Sequence, residues 1–347
     1  MATGQWPSLM DLSSRLDPEG KIPIIAEMLS QSNDWADDAP WMEANEATGH
    51  EFVFRTSIPA GAWRSYNMGI PYAKSTTGKS RVGIGMLEDY SQVDRALAEH
   101  SGSVEKFRYT EDAAFLEGMS QTIAQTIFYG NTAQTPSEFM GLSSFYNTVS
   151  TANALNASNV IDGGGTASNN TSIWMIGWSP RSFYCIYPRG SKAGLDMENK
   201  GDTTPGFDAL GNRFEAYTTW FRQQAGIVPN DWRFAQRIAN LDTTNAGLAG
   251  SNPPDLFAMF AQMFLMSPTS SRSGGNVTKT DDPNGELQVR EVIYMNRTGR
   301  HWLDVQAMRQ RNVLLSINDY AGKPVDGIRG RPVKIVDQIL NTESRVT

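Results

Sequence analysis

Residues 73–80 read AKSTTGKS. With Ala73 in place of the first glycine, this is a relaxed match to a phosphate-binding loop. Such a loop holds nucleotide phosphates on backbone N–H groups and on the N-terminus of a helix that must follow it. The residues that follow are RVGIGMLEDY. Val82, Ile84 and Met86 alternate there with Gly83 and Gly85, a period of two that predicts a strand. Each glycine would also weaken a helix by about 1 kcal/mol. The stretch is therefore read as a polar loop tip, and a nucleotide-binding enzyme stands as the alternative.

Other chemistry is sparse. The three histidines, His50, His100 and His301, include no i,i+4 pair, and Cys185 has no cysteine partner. A metal site of the usual kind needs clustered ligands, so no metal and no cofactor is expected. No GxSxG elbow occurs, and Cys185, between Tyr184 and Ile186, reads as buried filler. A single cysteine forms no internal disulfide, which fits a reducing cytosol. No catalytic residue is nominated and no enzymatic activity is expected.

The elements around these residues are more informative. HEFVFRTSI (50–58) and RVGIGMLEDY (81–90) read as two strands joined by about twenty residues. Hairpin connections are usually 2–5 residues, and a longer one is commonly functional. This one carries Trp63, Tyr66, Met68, Ile70 and Tyr72. So much aromatic area predicts a projecting hairpin that docks on a partner. Residues 110–130 carry the strongest helix signal, with Leu116, Met119, Ile123 and Ile127 on one stripe. Thr110 is the expected N-cap and Gly130 the expected C-cap. Lys106–Tyr109 extend the helix toward 104.

Two aromatic and β-branched blocks follow, IWMIGWSPRSFYCIYP turning at Ser179–Pro180 and WFRQQAGIVPNDWRFAQRIANL turning near Pro229–Asn230. They read as long paired strands. A Met-rich buried helix is expected at 254–267, a strand at REVIYMNR, a helix at HWLDVQAMRQ, and short strands in NVLLSIND and RPVKIVDQIL. Helices and strands mix without regular βαβ repeats, so the fold class is α+β.

The chain has 347 residues and a net charge of −7. Nine acidic and two basic residues lie in 1–50, so the remainder is neutral. That argues against a basic nucleic-acid reader and against a polybasic membrane anchor. No signal peptide is visible, and the longest apolar run, 256–266, is about half a bilayer span. Residues 1–49 read as an arm punctuated by prolines, with a short helix at 23–31. Trp6, Trp35 and Trp41 on it pack either on the chain's own body or on a neighbouring subunit.

The order of these features carries a resemblance. The passages HEFVFRTSIPAGAWRSYNMG, EDAAFLEGMSQTIAQTIFYGN, WSPRSFYCIYPRGSKAG, DWRFAQRIANLD and GIRGRPVKIVDQILNTESRV resemble the major capsid proteins of tailed double-stranded DNA phages, with the Hong Kong 97 (HK-97) fold. The short-tailed, podovirus-type subunits are the most similar. The resemblance covers most of the chain, least at 131–171 and 267–285. It implies an N-terminal arm at 1–49, an extended loop with its flanks at 50–100, and a peripheral domain at 101–247 with a spine helix at 104–129. It further implies an axial domain at 248–330 and a C-terminal return strand at 331–347. The long strand blocks precede the helix–strand–helix stretch, the reverse of the family's usual order, which implies a rearranged segment order within the same architecture.

The resemblance also implies a function. Many copies would assemble as pentamers and hexamers into an icosahedral shell enclosing phage DNA, without sequence-specific binding and without a membrane. Assembly would take place in the bacterial host cytoplasm, with a separate scaffolding protein, a portal and, on some shells, a decoration or cement protein. Inter-subunit contacts are expected from Trp6, Trp35 and Trp41 on the arm, and from Trp63, Arg64, Tyr66 and Tyr72 on the loop. The acidic Asp34, Asp37 and Asp38 should seek basic surface. Residues 286–347, with ten basic and seven acidic side chains, are the preferred partner region. Some relatives cross-link a loop lysine to a neighbour's asparagine. Lys74 and Lys79 lie in the right loop, but no asparagine or acid can be nominated, and no cross-link is expected. A small aromatic-surface binding module is a further alternative, separable by particle size.

Overall fold

The computed structural model describes residue 31 and residues 33–201, 204–208, 210–244, 253–268, 289–309, 315–320 and 323–347. Residues 1–30, with Trp6 and all of the expected helix at 23–31 except its last residue, lie outside the described residues.

The first strands are β1 (Trp41–Glu43), β2 (Gly49–Ser57), β3 (Thr76–Gly83) and β4 (Gly85–Asp94). Helices α1 (Arg95–His100) and α2 (Val104–Tyr129) follow, then the single turn α3 (Leu142–Phe145). The next strands are β5 (Val160–Asp162), β6 (Asn170–Trp178), β7 (Phe183–Tyr187), β8 (Leu195–Gly201), β9 (Gly206–Phe207), β10 (Arg213–Phe214), β11 (Ala216–Pro229) and β12 (Ala235–Asp242). Helix α4 (Leu256–Met266), β13 (Arg290–Met295) and α5 (Arg297–Arg309) precede β14 (Leu315–Tyr320), β15 (Lys323–Ile328) and β16 (Arg331–Ile335).

The long helix has the expected span, and its caps differ from expectation. The N-cap is Ser103. Thr110 lies a turn and a half inside, where its hydroxyl donates to the Lys106 carbonyl at 3.0 Å. Gly130 does close the helix, but at φ −50°, outside the left-handed region. Space is what selects glycine there. A Cβ on Gly130 would meet the Phe139 carbonyl at 2.3 Å, and one on Gly141 would meet that of Thr126 at 2.4 Å.

Among the described residues twelve strands share one sheet, whose main path runs β14-β15-β16-β13-β6-β7-β11-β4. The two aromatic blocks do not form the hairpins their sequences suggest. Strands β6 and β7 meet only at Trp178 and Phe183. Instead β6 pairs antiparallel with β12, and β7 with β11. The physical reason lies at the two corners, which lock onto each other. The Asn230 N–H donates to the Ser182 carbonyl at 2.9 Å, and its side-chain amide to the Arg181 carbonyl at 2.9 Å. Each corner thus hands its two strands to the other's.

Strand β6 is buried along its whole length, as a continuous apolar run predicts. Its period of two splits the core. Trp174, Ile176 and Trp178 join Ile123, Ile127 and Phe128 of α2. Ile173 and Met175 join Phe260 and Met263 of α4 and Leu303 of α5. Helices therefore cover both faces of the central sheet. Because β13 zips onto β6, residues on both sides of position 248 share this sheet.

Candidate assembly surfaces

Strands β2 and β3 form a two-stranded sheet of their own, apart from the large sheet. Register runs from Gly49 opposite Gly83 to Ser57 opposite Thr76. The expected polar loop tip at AKSTTGKS is thereby corrected. Thr76 to Ser80 belong to β3, with Gly78 opposite Phe54 and Lys79 opposite Val53. Strand β4 follows where a phosphate loop would need a helix. The β-branched Thr76, Thr77 and Val82 favour the pleat.

Residues 58–75 join the two strands at the far end of this ribbon. Trp63, Tyr66 and Tyr72 are fully exposed there, and Ile58, Met68 and Ile70 largely so. Arg64 is also exposed. Single exposed apolar residues are ordinary, but a contiguous run marks an interaction site. The ribbon is basic, with Arg55, Arg64, Lys74 and Lys79 against Glu51 over residues 51–80. The Lys79 ammonium stands 4.0 Å from Glu51, both largely in solvent, so that pair contributes little.

The arm residues are used differently. Trp35 is only 4% exposed and packs in the core with Ile123 and Phe128 of α2. Trp41 is half-buried against the same core, in register with Cys185. Trp35 thus satisfies its ring within its own chain, which corrects the inter-subunit expectation for it, while Trp41 keeps part of its ring at the surface. Asp34 and Asp37 are exposed, and the Asp34 carbonyl accepts from Lys334 Nζ at 3.0 Å.

Asp38 needs a fuller correction. Its side chain has no solvent exposure. It meets Arg290 at 2.8 Å and Lys334 at 2.8 Å. Tyr294 OH donates to it at 2.7 Å, and Trp178 Nε1 donates to Tyr294 OH at 2.8 Å. A buried carboxylate must be paired where it is buried, and this chain supplies the pairs. Both cations, Arg290 and Lys334, lie within the basic stretch 286–347, but Asp38 meets them within the same subunit. Burial also shields this cluster from salt, unlike the exposed pairs first envisaged. Burial, then the Asp38 charge, raises the Tyr294 phenol well above its ordinary range.

Sequence reasoning missed a second cluster. Arg237 and Glu343 pair at 2.8 Å with side chains 4% and 5% exposed. Ser172 and Tyr129 also donate to Glu343. Arg237 donates to the Tyr146 carbonyl at 2.8 Å and lies over the Trp174 ring, 4.8 Å from its centroid. This fastens the stretch 336–347 to β6, β12 and α2. The available signal was a lone arginine within the otherwise uncharged strand sequence AQRIANL, since a charge buried there demands a partner.

Cys185 is fully buried, and burial pushes its thiol far up, away from reactivity. Among the described residues no group of three His, Cys, Asp or Glu is placed to hold a metal ion. Among them, too, no helix is long and apolar enough to cross a membrane.

Against this geometry stand the known proteins. The family model of the major capsid protein GP7 matches residues 17–347. Among solved structures, a chain in the near-atomic-resolution structure of bacteriophage Epsilon15 is 32% identical, with 100% of each chain covered and a TM-score of 0.72. The capsid of bacteriophage JBD30 is 12% identical, covering 91% of this chain and 95% of that one, with a TM-score of 0.49. No curated protein matches the chain.

Proposed function

The chain belongs to the major capsid protein GP7 family, and from that premise we propose how its copies hold one another. It is the coat protein of a phage shell and has the α+β, HK-97-like fold that the resemblance implied. Its place is the virion, and its role is structural. In the proposed reading, copies gather as pentamers and hexamers in the host cytoplasm, around a separately encoded scaffold and a portal. A cement protein is an optional outer partner. Packed DNA is confined by a near-neutral body, without the counterion-release affinity of a nucleic-acid reader.

The observation that carries this reading is the ribbon of β2 and β3. Trp63, Tyr66 and Tyr72 are fully exposed at the far end of an element that meets its own chain's core only at its base, through Phe52 and Val82. Each such ring offers about 150–250 Å² for burial, and Trp, Tyr and Arg are the residues on which interface energy concentrates. The ribbon is assigned to dock on a neighbouring subunit through these three rings, with Arg64 as a charged anchor. Residues 1–49 keep the name of arm. Of their acids, the exposed Asp37 is offered to basic surface such as the ribbon of another copy.

For the interior we retain a peripheral unit built on α2 and an axial unit that includes α4 and α5. The boundary near residue 248 is a division of helices, since the sheet runs through it. No cross-link is assigned to Lys74 or Lys79.

The test is the assembly state of the purified chain, with and without a scaffold, by negative-stain microscopy. Closed shells or capsomers are expected from the wild type. Trp63→Ala should give folded subunits that do not make stable shells. Wild-type particle yield from Trp63→Ala would remove the ribbon's docking role.

A further inference from the structure

The ribbon leaves the body at a base where backbone bonds from Ile84 N–H to the Thr48 carbonyl, 3.1 Å, and from Glu46 N–H to the Gly49 carbonyl, 3.3 Å, are joined by a set of side-chain contacts. Asn45 Nδ2 donates to the Glu51 carbonyl at 2.8 Å, while the Glu51 N–H donates to Asn45 Oδ1 at 2.9 Å. One carboxamide thus pairs with both backbone groups of Glu51, as a neighbouring strand would. Arg81 Nε donates to Glu46 at 2.9 Å, and Arg81 Nη2 donates to the Thr48 hydroxyl at 2.8 Å. These contacts tie β3 to the turn that precedes β2. His50 Nδ1 accepts from the Asn45 N–H at 3.3 Å, and its Nε2 lies 3.1 Å from Tyr184 OH on β7.

Gly49 makes this packing feasible. A Cβ there would lie 2.6 Å from the Val82 carbonyl and 2.9 Å from Arg81 Nη2. The carbonyl is backbone and cannot swing away. Glycine therefore lets the arginine fold back over the base.

The base matters because of leverage. The eight residues of β3 span about 26 Å at roughly 3.3 Å each. A 10° error at the base would carry the far end off by about 5 Å, more than the diameter of a methyl group. A tip that must seat three rings in a neighbour tolerates much less than that.

We infer that Asn45, Glu46, Thr48, Gly49 and Arg81 aim the ribbon: they fix the angle at which it leaves the body, and with it the subunit spacing that a shell accepts. This rests on the docking role proposed above, but the aim itself is measurable on a single subunit. These are positioning residues: Gly49 is buried at the base, and the side chains of Asn45, Glu46, Thr48 and Arg81 are exposed or half-exposed.

Spin labels placed by Ser65→Cys and Glu105→Cys report the distance from tip to body by pulsed electron resonance, with the buried Cys185 left unlabelled. The unassembled wild-type subunit should give one narrow distribution. Asn45→Ala combined with Arg81→Ala should at least double its width while leaving the thermal unfolding midpoint in place. An unchanged width in that variant would overturn the aiming role, whatever the shells do. In assembly, Arg81→Glu should give particles of mixed diameter, and adding Glu46→Arg should restore uniform ones. Uniform wild-type diameters from Arg81→Glu alone would refute the link from aim to shell spacing. If Arg81→Glu fails to fold, Thr48→Val, which removes one contact only, should still broaden the label distribution. Absence of wild-type shells would count against the docking role and leave the label result standing.

Discussion

Strand β6 carries Ile173, Trp174, Met175, Ile176 and Trp178, all buried. The β2–β3 ribbon and its tip carry Trp63, Tyr66, Met68, Ile70 and Tyr72, all exposed. By composition the two regions are alike. They differ in what surrounds them. Strand β6 has β12 and β13 at its edges and helices over both faces. Among the described residues the ribbon's two strands pair only with each other, and its far end has no cover. Apolar content thus says that burial will occur, and the topology says whether one subunit or two will supply it.

The largest effect should come from the buried region. Trp174→Ala removes a fully buried ring that touches Phe128 and Tyr146. Truncations of this kind cost about 3–5 kcal/mol, and thermal or denaturant unfolding of the subunit should show it directly. Stability within about 0.5 kcal/mol of wild type would break the contrast at its stronger end.

Removing one partner of the buried pairs should be nearly as costly. Glu343→Ala leaves Arg237 as an uncompensated buried charge, and Asp38→Ala takes the carboxylate from Arg290 and Lys334 and leaves the buried Tyr294 hydroxyl without its acceptor. Each should cost about 3 kcal/mol or more. The loss should persist at high salt, because both carboxylates are buried. A salt-sensitive loss of under 1 kcal/mol would place these pairs with ordinary surface bridges.

Trp63→Ala should sharpen the comparison from the other side. Subunit stability should stay within about 0.5 kcal/mol of wild type. Shell stability should fall by about 2 kcal/mol per interface, read as a lower denaturant midpoint for particle dissociation. A large loss of subunit stability would mean that the ring packs on its own chain.

The smallest effect concerns pH. Burial, opposed by the Glu46 charge, lowers the His50 pKa below its ordinary 6.5. The folded base therefore favours the neutral imidazole, which accepts from the Asn45 N–H. Unfolded chain takes up the proton more readily, so this contribution is complete above pH 6.5 and fades as pH falls toward the lower folded value. Acid titration of subunit stability should show a small loss in that window, and His50→Gln should remove it. A loss that appears only on raising the pH would have the wrong sign.

How much was legible in the sequence follows the same contrast. The body and end of α2 were readable because its apolar stripe and Gly130 are local signals, whereas its N-cap was misplaced at Thr110, and the true N-cap, Ser103, makes no side-chain capping bond. The exposed hairpin was readable because its length and aromatic content were at odds with a simple turn. Strand pairing was not readable. The corners at 179–182 and 230–234 are short and look like hairpin turns, and only their mutual hydrogen bonds hand β6 to β12 and β7 to β11. The fates of Trp35 and Asp38 were also hidden. An acidic arm and a basic C-terminal stretch attract each other equally well within a subunit or between two. Arg237 and Glu343 lie 106 residues apart, and no local pattern joins them.

The central claim is that the aromatic residues at the ribbon's far end, Trp63, Tyr66 and Tyr72, are buried by a neighbour and by nothing else. Oxidative footprinting of Trp63, Tyr66 and Tyr72, in the free subunit and in assembled particles, tests it most directly, with Trp174 as the internal reference. Trp174 should be protected in both states. The three ribbon rings should react as free side chains do in the subunit and become at least tenfold protected in the particle. Equal reactivity of Trp63, Tyr66 and Tyr72 in subunit and particle would contradict the account.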